Sequence, residues 1–372
     1  MSTTLRYNYR LRPGAGALAV LEAEWGRCRW LWNHTLAAKM DPSRRLLRGT
    51  DLTAARAKLD WLRQGAQDPQ SAVLYTFNPK TARAFKCKRD LPSIAYSVNG
   101  FCIRGGRLCL AKCPPIPVVW HRVLPSAPTS VRVCRDSLGH WYASFVVQVD
   151  DRPLPPTGNK VGIDWGVATI ATTSDDCGGF DLETCEYGKK GAAALAKYQR
   201  RMARRRPERG KAASGGYREV KLGAARAHKK VARWRLHTAR VWAKKIVTHH
   251  DLIAAQDFKP KFLAKSAMAR KAADNAIGTT KRELISAATR AGRSVVIVPP
   301  AYTTMTCSFC ARRAKSRLGL SMRIFTCAAC GLVLGRDRNA AKTILAQGET
   351  LLANAPTIRQ DLLPSGELVL AS

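Results

Sequence analysis

Four cysteines near the C-terminus constrain this chain more than any other feature. Cys307 and Cys310 form one C-x2-C pair, Cys327 and Cys330 form a second, and 16 residues lie between the pairs. Four thiolates at this spacing can close a tetrahedral Zn2+ site, and two such pairs rarely arise together by chance. The sequence therefore predicts a zinc ribbon over residues 305–331 that holds one structural zinc ion.

The charge of the chain indicates its class of partner. There are 63 Lys and Arg residues against 26 Asp and Glu, a formal charge of +37 in 372 residues. Such a chain attracts polyanions, and the release of counterions from phosphates makes its binding dependent on salt. The composition therefore predicts a nucleic-acid partner.

Much of this charge lies in one segment. Between Lys189 and Lys245 there are 20 Lys and Arg residues and two Glu, in a helical pattern that is interrupted near Pro207. The shortage of balancing acids favours phosphate contacts over a merely solvated surface. The pattern predicts a basic helical hairpin over residues 186–250. Its first candidates for nucleic-acid contact are Arg204, Arg205, Arg206, Lys229 and Lys230.

The remaining composition bears on the cellular compartment. No apolar run approaches the roughly 18 residues of a membrane-spanning helix, and no signal-peptide pattern is present. Twelve cysteines without a secretory segment are typical of a reducing compartment. We expect a cytoplasmic protein that is associated with the nucleoid and has no membrane partner.

Hydrophobic periodicity predicts a β unit with a helical insertion in the first 150 residues. Residues 4–12 alternate as a half-exposed strand does, and apolar residues recur at helical spacing from Ala17 to Ala38. Helical patterns continue over residues 50–95, and short strands are expected between 103 and 149. Residues 151–160, which contain three prolines and a glycine, form the linker to a second domain.

Two isolated aspartates mark the second domain. Asp164 lies in a predicted strand, on the face opposite to Val161 and Ile163. Asp337 follows the last cysteine by seven residues and precedes a predicted helix over Arg338–Leu345. The other predicted elements of this domain are a buried strand at 252–258, a helix at 266–291 and a strand at 294–299.

Seven short motifs follow one another in a definite order along residues 5–346. They are Arg10–Pro13, Gly26–Asn33, Trp120–Arg122, Gly139–Phe145, Gly162–Gly166, Tyr302–Cys310 and Arg336–Ala341. In this order they resemble the motifs of TnpB, the transposon-encoded RNA-guided nucleases held to be ancestral to type V CRISPR effectors.

The resemblance implies a multidomain fold of the α/β and α+β classes. It implies a wedge β-barrel, a helical recognition insert, an RNase H-like RuvC nuclease domain and a zinc-ribbon insert that binds the target nucleic acid. The expected ranges are 1–12 and 100–150 for the barrel, 13–99 for the recognition insert, 151–160 for the linker, 161–304 and 332–346 for RuvC, 305–331 for the ribbon, and 347–372 for a tail.

The resemblance also implies the partners. They are a noncoding guide RNA from the transposon end and double-stranded target DNA that carries a transposon-adjacent motif and is opened into an R-loop, with the protein as a monomer in the ribonucleoprotein. The N-terminal residues expected to contact nucleic acid are Arg10, Arg12, Arg27, Arg29, Asn33 and His34.

A RuvC site uses carboxylates from distant strands to hold two Mg2+ ions, one of which activates water while the other stabilises the leaving oxygen. The resemblance assigns Asp164 to the first position and Asp337 to the third. At the second position, where the family has Glu, this chain has Gln256. A neutral amide offers one carbonyl oxygen but removes a full negative charge, so we expect impaired cleavage.

Three interpretations of Gln256 follow from the sequence. The chain is a natural homologue that has lost cleavage, or an inactivated form of an active nuclease, or a neighbouring acid such as Asp257 takes the position. Against the last, adjacent residues of a strand point to opposite faces. Two other functions stay open, a nuclease-dead RNA-guided repressor and a protein-only zinc-ribbon transposase. The family also commonly has Asp at Gly335 and Gly at Ala311.

Overall fold

The computed structural model describes residues 2–41, 51–150, 153–208, 210–259, 266, 268–316, 319 and 322–354. The chain divides into two compact units, Met1–Asp150 and Asp151–Ser372. Each unit has its own cluster of buried apolar side chains. No helix in the described ranges is long and apolar enough to cross a membrane.

The first unit contains a seven-stranded sheet that forms a nearly closed, barrel-like layer. Its strand order is β2-β6-β7-β1-β5-β4-β3, and neighbouring strands run antiparallel. The strands are β1 (Ser2–Leu11), β2 (Ser93–Ser97), β3 (Phe101–Arg104), β4 (Arg107–Leu110), β5 (Ile116–Val119), β6 (Pro128–Arg135) and β7 (Trp141–Asp150).

The strands expected between 103 and 149 are present, with two differences. The run at 103–110 is the hairpin of β3 and β4, which turns at Gly105 and Gly106 with positive φ. Strand β2 lies inside the range 13–99 that we expected to be helical. Ile94 and Tyr96 are buried and alternate with more exposed neighbours, so this short segment pairs with β6 as a strand.

Four helices accompany this sheet, namely α1 (Ala15–Met40), α2 (Leu52–Lys58), α3 (Asp60–Arg63) and α4 (Gln67–Thr76). Helix α1 has two buried parts. Leu21, Trp25 and Cys28 belong to the core of the sheet, whereas Leu31 packs with Leu62 of α3 and with α2 and α4. The long amphipathic helix predicted from the sequence therefore joins the sheet to a small helical cluster.

The second unit contains a five-stranded sheet in the order β10-β9-β8-β11-β12. Strand β11 is parallel to both β8 and β12, whereas β9 is antiparallel to β8. The strands are β8 (Lys160–Trp165), β9 (Thr169–Thr173), β10 (Leu182–Glu183), β11 (Leu252–Gln256) and β12 (Ser294–Val298), and a separate hairpin is formed by β13 (Ile324–Thr326) and β14 (Val333–Gly335).

Five helices belong to this unit, namely α5 (Tyr187–Arg204), α6 (Gly215–His249), α7 (Ala269–Asn275), α8 (Ile277–Ala291) and α9 (Arg336–Asn354). One face of the sheet packs against α6 and α8 through residues such as Ile163 and Ile253. Helix α9 covers the other face. At Gly162 a Cβ would lie 2.0 Å from the carbonyl oxygen of Ala341, so the absence of a side chain lets α9 approach β8 closely.

Two predicted boundaries in this unit need correction. The helix expected over 266–291 is divided into α7 and α8 by Ala276, which has a left-handed φ of 50°. The helix expected to follow Asp337 begins at Arg336 and extends to Asn354, because Ile344 and its neighbours pack on the sheet. Part of the predicted tail is thus helical, and residues 355–372 lie outside the described residues.

Candidate functional site

The candidate site begins at the carboxyl ends of two neighbouring strands. Ala255 of β11 lies opposite Ile163 of β8 in the parallel register, so the next residue of each strand, Gln256 and Asp164, stand side by side. Side chains alternate along a strand, which puts both residues on the face that α9 covers. The first turn of α9 carries Asp337. The fold therefore brings together the three residues that the resemblance assigned to catalysis.

The Asp164 carboxyl group is buried, with 6% of the residue exposed. Burial and the negative charge of Asp337 raise its pKa to about 8, and the nearby Arg336 guanidinium only partly opposes them. The carboxylate of Asp337 is therefore close enough to disfavour ionisation of Asp164. A cation between them would relieve this repulsion.

Gln256 is also buried, and its amide is oriented by a hydrogen bond. Its Nε2 donates to Oγ1 of Thr303 over 3.0 Å, and the Thr303 hydroxyl donates to the carbonyl oxygen of Pro300 over 3.3 Å. Because the nitrogen is committed to Thr303, Oε1 is the atom left for a ligand. Sequence reasoning missed Thr303, an uncharged residue distant in the chain.

Asp337 is balanced by two arginines. Nε and Nη2 of Arg336 each donate to its Oδ1 over 3.1 Å, and Nη1 of Arg323 lies 3.6 Å from its Oδ2. The Arg336 side chain is 12% exposed, so its ion pair is little screened by water. The resemblance expects Asp at position 335, but this chain has Gly335, so no second carboxylate is available there to pair with the arginines.

The donor set fits one hard cation better than two. Mg2+ prefers oxygen ligands and is commonly held by one or two carboxylates together with water and phosphate oxygens. Asp164, Asp337 and Oε1 of Gln256 supply such ligands. A pair of Mg2+ ions would bring four positive charges to two carboxylates, one of which is already paired with arginines. The residues present do not fit a two-ion site.

Asp257, the neighbouring acid, is engaged elsewhere. Its Oδ1 accepts a hydrogen bond from Nζ of Lys281 over 2.8 Å, and Lys259 lies 3.2 Å from its other oxygen. These lysines hold the pKa of Asp257 below its usual range. Lys281 belongs to α8, on the opposite face of the sheet from α9. The ion pairs thus direct Asp257 away from Asp164 and Asp337.

A second ion pair fixes the start of α9. The two terminal nitrogens of Arg338 donate to the two carboxylate oxygens of Asp181 over 2.9 and 2.8 Å. Asp181 also accepts a hydrogen bond from the backbone nitrogen of Thr173 at the end of β9. Bidentate pairs of this kind restrict orientation as well as distance. The residue after Asp337 therefore anchors the first turn of α9, a role that the sequence analysis missed.

The four ribbon cysteines converge. Their sulfur atoms all lie within 4.8 Å of one another, with 3.6 Å between Cys307 and Cys330 and between Cys310 and Cys327. Four thiol sulfurs in such a cluster fit Zn2+. Backbone N–H groups of Cys330 and Ala329 lower the pKa of Cys327 to about 6, which favours the thiolate that a metal binds.

Both C-x2-C turns have the same backbone form. The nitrogen of Ala311 donates to the carbonyl oxygen of Cys307 over 3.0 Å, and the nitrogen of Gly331 donates to that of Cys327 over 2.9 Å. Ala311 and Gly331 both have left-handed φ, at 57° and 75°. The alanine costs on the order of 1 kcal/mol there compared with the glycine that the family commonly has.

The ribbon is tied to α9 by a buried amide. Nδ2 of Asn339 donates to the carbonyl oxygen of Thr306 over 2.8 Å, and its Oδ1 accepts from the backbone nitrogen of Ser308 over 2.9 Å. Asn339 is fully buried. These two hydrogen bonds bracket Cys307, so one end of the cysteine cluster is attached to the helix that carries Asp337.

In the first unit, two predicted nucleic-acid contacts are occupied by the fold. Nε of Arg27 donates to the carbonyl oxygen of Trp61 over 2.6 Å, and the same guanidinium pairs with buried Glu24. The Asn33 amide makes two hydrogen bonds with the backbone of Lys86, over 2.8 and 2.7 Å. Both residues hold α1 against neighbouring segments, which leaves little of either for a ligand.

The other predicted contacts of the first unit are more accessible. Arg10, Arg12 and His34 are exposed, and Arg29 is half-buried. The His34 ring stacks on Trp30, with the ring centroids 4.7 Å apart.

In the second unit the predicted basic hairpin is present as α5 and α6. Helix α5 ends at Arg204, and the loop between the helices begins with Arg205 and Arg206; all three arginines are exposed. On α6, Lys230 is exposed and Lys229 is half-buried. The hairpin thus places its predicted contacts at its tip and along its second helix.

Two protein families match parts of the chain. The family described as "Probable transposase" matches residues 144–266, and the family described as "Cas12f1-like, TNB domain" matches residues 278–344. The first match spans Asp164 and Gln256, and the second spans the four cysteines and Asp337.

Two curated relatives align with most of the chain. A "Putative RNA-guided DNA endonuclease" of Streptomyces pristinaespiralis is 28% identical over 80% of this chain and 73% of its own length. The "Putative RNA-guided DNA endonuclease InsQ" of Escherichia coli (strain K12) is 24% identical over 93% of both chains. Among solved structures, a Cas12f1-sgRNA-target DNA complex aligns with a TM-score of 0.55 at 11% identity, over 92% of this chain and 98% of that one, which shows a shared fold.

Proposed function

We propose that this chain, which is a TnpB-like protein, is an RNA-guided DNA-targeting protein whose own cleavage of DNA is impaired. The curated relatives named as RNA-guided endonucleases and the fold shared with a guide-bound Cas12f1 support the guided part of this proposal. The observation that carries the impaired part is the position of neutral Gln256 beside Asp164.

The proposed partners are a guide RNA and double-stranded target DNA with an adjacent motif, and the proposed compartment is the prokaryotic cytoplasm. The formal charge of +37 supplies the electrostatic attraction to both nucleic acids. Base pairing between guide and target would then select the sequence, so the protein needs mainly to hold phosphates and to open the duplex.

Asp164, Asp337 and Oε1 of Gln256 would hold Mg2+, which would supply Lewis-acid polarisation of a phosphate and activation of water. The chain's own contribution is positional. Arg338 and Asp181 hold the first turn of α9, and Thr303 holds the Gln256 amide with its oxygen free for a ligand. Arg336 and Arg323 pair with Asp337 and so offset part of the negative charge that would attract a cation. We propose that this balance leaves guided binding intact and slows cleavage.

Two other functions remain candidates. A nuclease-dead repressor that occupies a promoter through an R-loop is favoured by the same Gln256. A transposase that acts without RNA is favoured by the family described as "Probable transposase". Extracting and sequencing the RNA bound to the purified protein tests the transposase. We expect one discrete transcript, whereas a preparation without bound RNA would favour the transposase.

The basic hairpin offers a separate test. Changing Arg204, Arg205 and Arg206 to Gln should weaken guide RNA binding and lower the slope of log affinity against log salt by about 2, because each lost phosphate contact on a single strand contributes roughly 0.7. Filter binding at several salt concentrations measures this slope. The effect should not depend on the target sequence.

The matched control removes three positive charges elsewhere in the same unit, by changing exposed Lys271, Arg282 and Arg290 to Gln. This variant has the same net charge as the hairpin variant and should keep the original slope. If both variants lowered the slope by the same amount, total charge, and not the hairpin, would govern binding.

A further inference from the structure

One aromatic ring stands among the cations of the basic hairpin. Trp234 of α6 is 42% exposed. Nζ of Lys230, one turn earlier, lies 4.7 Å from the Trp234 ring centroid, and the Tyr187 ring of α5 lies 5.4 Å away at an angle of 45°. The Tyr187 hydroxyl is hydrogen-bonded to Thr238 over 2.9 Å, which holds that ring in place. The two rings and the ammonium group form a small cluster in which Trp234 and Lys230 are exposed and Tyr187 is half-buried.

The apolar core of the unit does not account for Trp234. Helix α6 buries Ala239, Trp242, Ala243 and Ile246 on its other side, whereas Trp234 lies outside that cluster. A single exposed apolar residue is common in proteins and would carry no conclusion by itself. Trp234 differs from such a residue because it contacts a second aromatic ring and a lysine on a basic surface.

The side of α6 that exposes Trp234 is unbalanced in charge. Arg235, which lies further around the helix, is paired with Asp274, and Arg240, in the same row as Arg233 and Lys244, is paired with Glu283. Within the ranges that the structure describes, no acidic partner is found for the exposed cations of the Trp234 side, which recur at helical spacing: Arg226, Lys230, Arg233 and Lys244. Cations at this spacing can bind successive phosphates of a nucleic-acid strand, and an aromatic ring among them can stack on a base.

We propose that Trp234, with Tyr187 and Lys230, forms a stacking site for one unpaired nucleobase of a bound RNA strand. The proposal rests on the RNA-binding function proposed above and deepens it. Any nucleobase can stack on an indole ring, so this contact would not depend on sequence. Lys230 and its neighbours would bind the flanking phosphates. A second copy of this chain is a poor occupant, because its own charge of +37 would repel the same face.

Two short probes separate stacking from phosphate contact. The full chain is titrated with a fluorescent 12-nucleotide oligouridine RNA and with the same backbone lacking bases. Trp234→Ala should weaken binding of the oligouridine about tenfold and should leave binding of the abasic strand unchanged. The salt slope should be unchanged, since no phosphate contact is removed.

Two further variants complete the design. Trp234→Phe keeps an aromatic ring and should stay within about threefold of the wild-type affinity, even if the alanine variant is destabilised. Val241→Ala removes another exposed apolar side chain two turns along α6 and should have no effect on either probe.

Three results would overturn the proposal. A loss below twofold for Trp234→Ala, an equal loss on both probes, or an equal loss for Val241→Ala would each show that no base stacks on the ring. If the wild-type protein itself bound neither probe in a salt-dependent way, the proposed RNA-binding function would fall as well. Normal wild-type binding with an unaffected Trp234→Ala variant removes only this site.

Discussion

Replacing Gln256 by Glu is expected to raise Mg2+-dependent cleavage of a guided DNA target by at least about a hundredfold, which corresponds to about 2.7 kcal/mol of activation free energy. The change restores one negative charge beside Asp164 with almost no change in shape. The Thr303 hydroxyl, which now accepts a hydrogen bond from Nε2, can rotate to donate to the new carboxylate. The gain should therefore come from cation affinity and not from a rebuilt strand.

The assay compares the two proteins as complexes with the same guide RNA on a plasmid target, over a range of Mg2+ concentrations. When Asp164→Ala or Asp337→Ala is added to the Gln256→Glu variant, cleavage should be abolished and target binding should be unchanged. Asp257→Ala is the matched control, because its carboxylate is paired with Lys281 and Lys259 on the other side of the sheet. An unmodified protein that cuts at full rate and loses activity with Asp257→Ala would show that Asp257 is the second ligand.

The second large effect is expected at the cysteine cluster. The wild-type chain should contain one Zn2+ and Cys327→Ser should contain none, because the affinity of a four-thiolate site is also the folding free energy of such a small module. Apparent values for structural zinc reach about 10–16 kcal/mol in zinc-finger peptides. We therefore expect local unfolding of the predicted ribbon, residues 305–331, in the variant, measured by hydrogen exchange beside metal analysis.

The control for this variant is Cys177→Ser, at an exposed cysteine outside the cluster. It should keep one zinc and normal protection of the ribbon. A metal content near zero in wild-type protein purified without chelator would contradict the zinc assignment.

The elements with strong local signals could be predicted from sequence. The paired cysteines, the long apolar stripe of α1, the charge run of the hairpin and the strand around Asp164 each carry their own pattern. The family resemblance that the motifs indicated is confirmed by the matching families and relatives. The nearly closed sheet of the first unit is consistent with the expected barrel, whereas strand β2 was missed because it is five residues long and follows a proline.

The features that sequence could not predict are contacts between residues far apart in the chain. Thr303 is 47 positions from Gln256, and Asp181 is 157 positions from Arg338. Neither pair has a spacing that periodicity could reveal. For the same reason Arg27 and Asn33 were assigned to nucleic acid by residue type and by the resemblance, although other segments already bind them. Residue type correctly predicted that both side chains form polar contacts. Tertiary structure determined that the partners belong to the protein itself.

The hydrogen bonds of Asn339 have a thermodynamic consequence. They join the loop around Cys307 to α9, two residues from Asp337, so the predicted zinc and the proposed catalytic cation would lie at the two ends of one connection. Any free energy by which zinc occupancy strengthens Mg2+ binding at Asp337 must appear equally as tighter zinc binding when Mg2+ is present. Calorimetric titration of zinc at two magnesium concentrations would measure this reciprocity. If it exists, the cysteine cluster is an allosteric effector site of the chain.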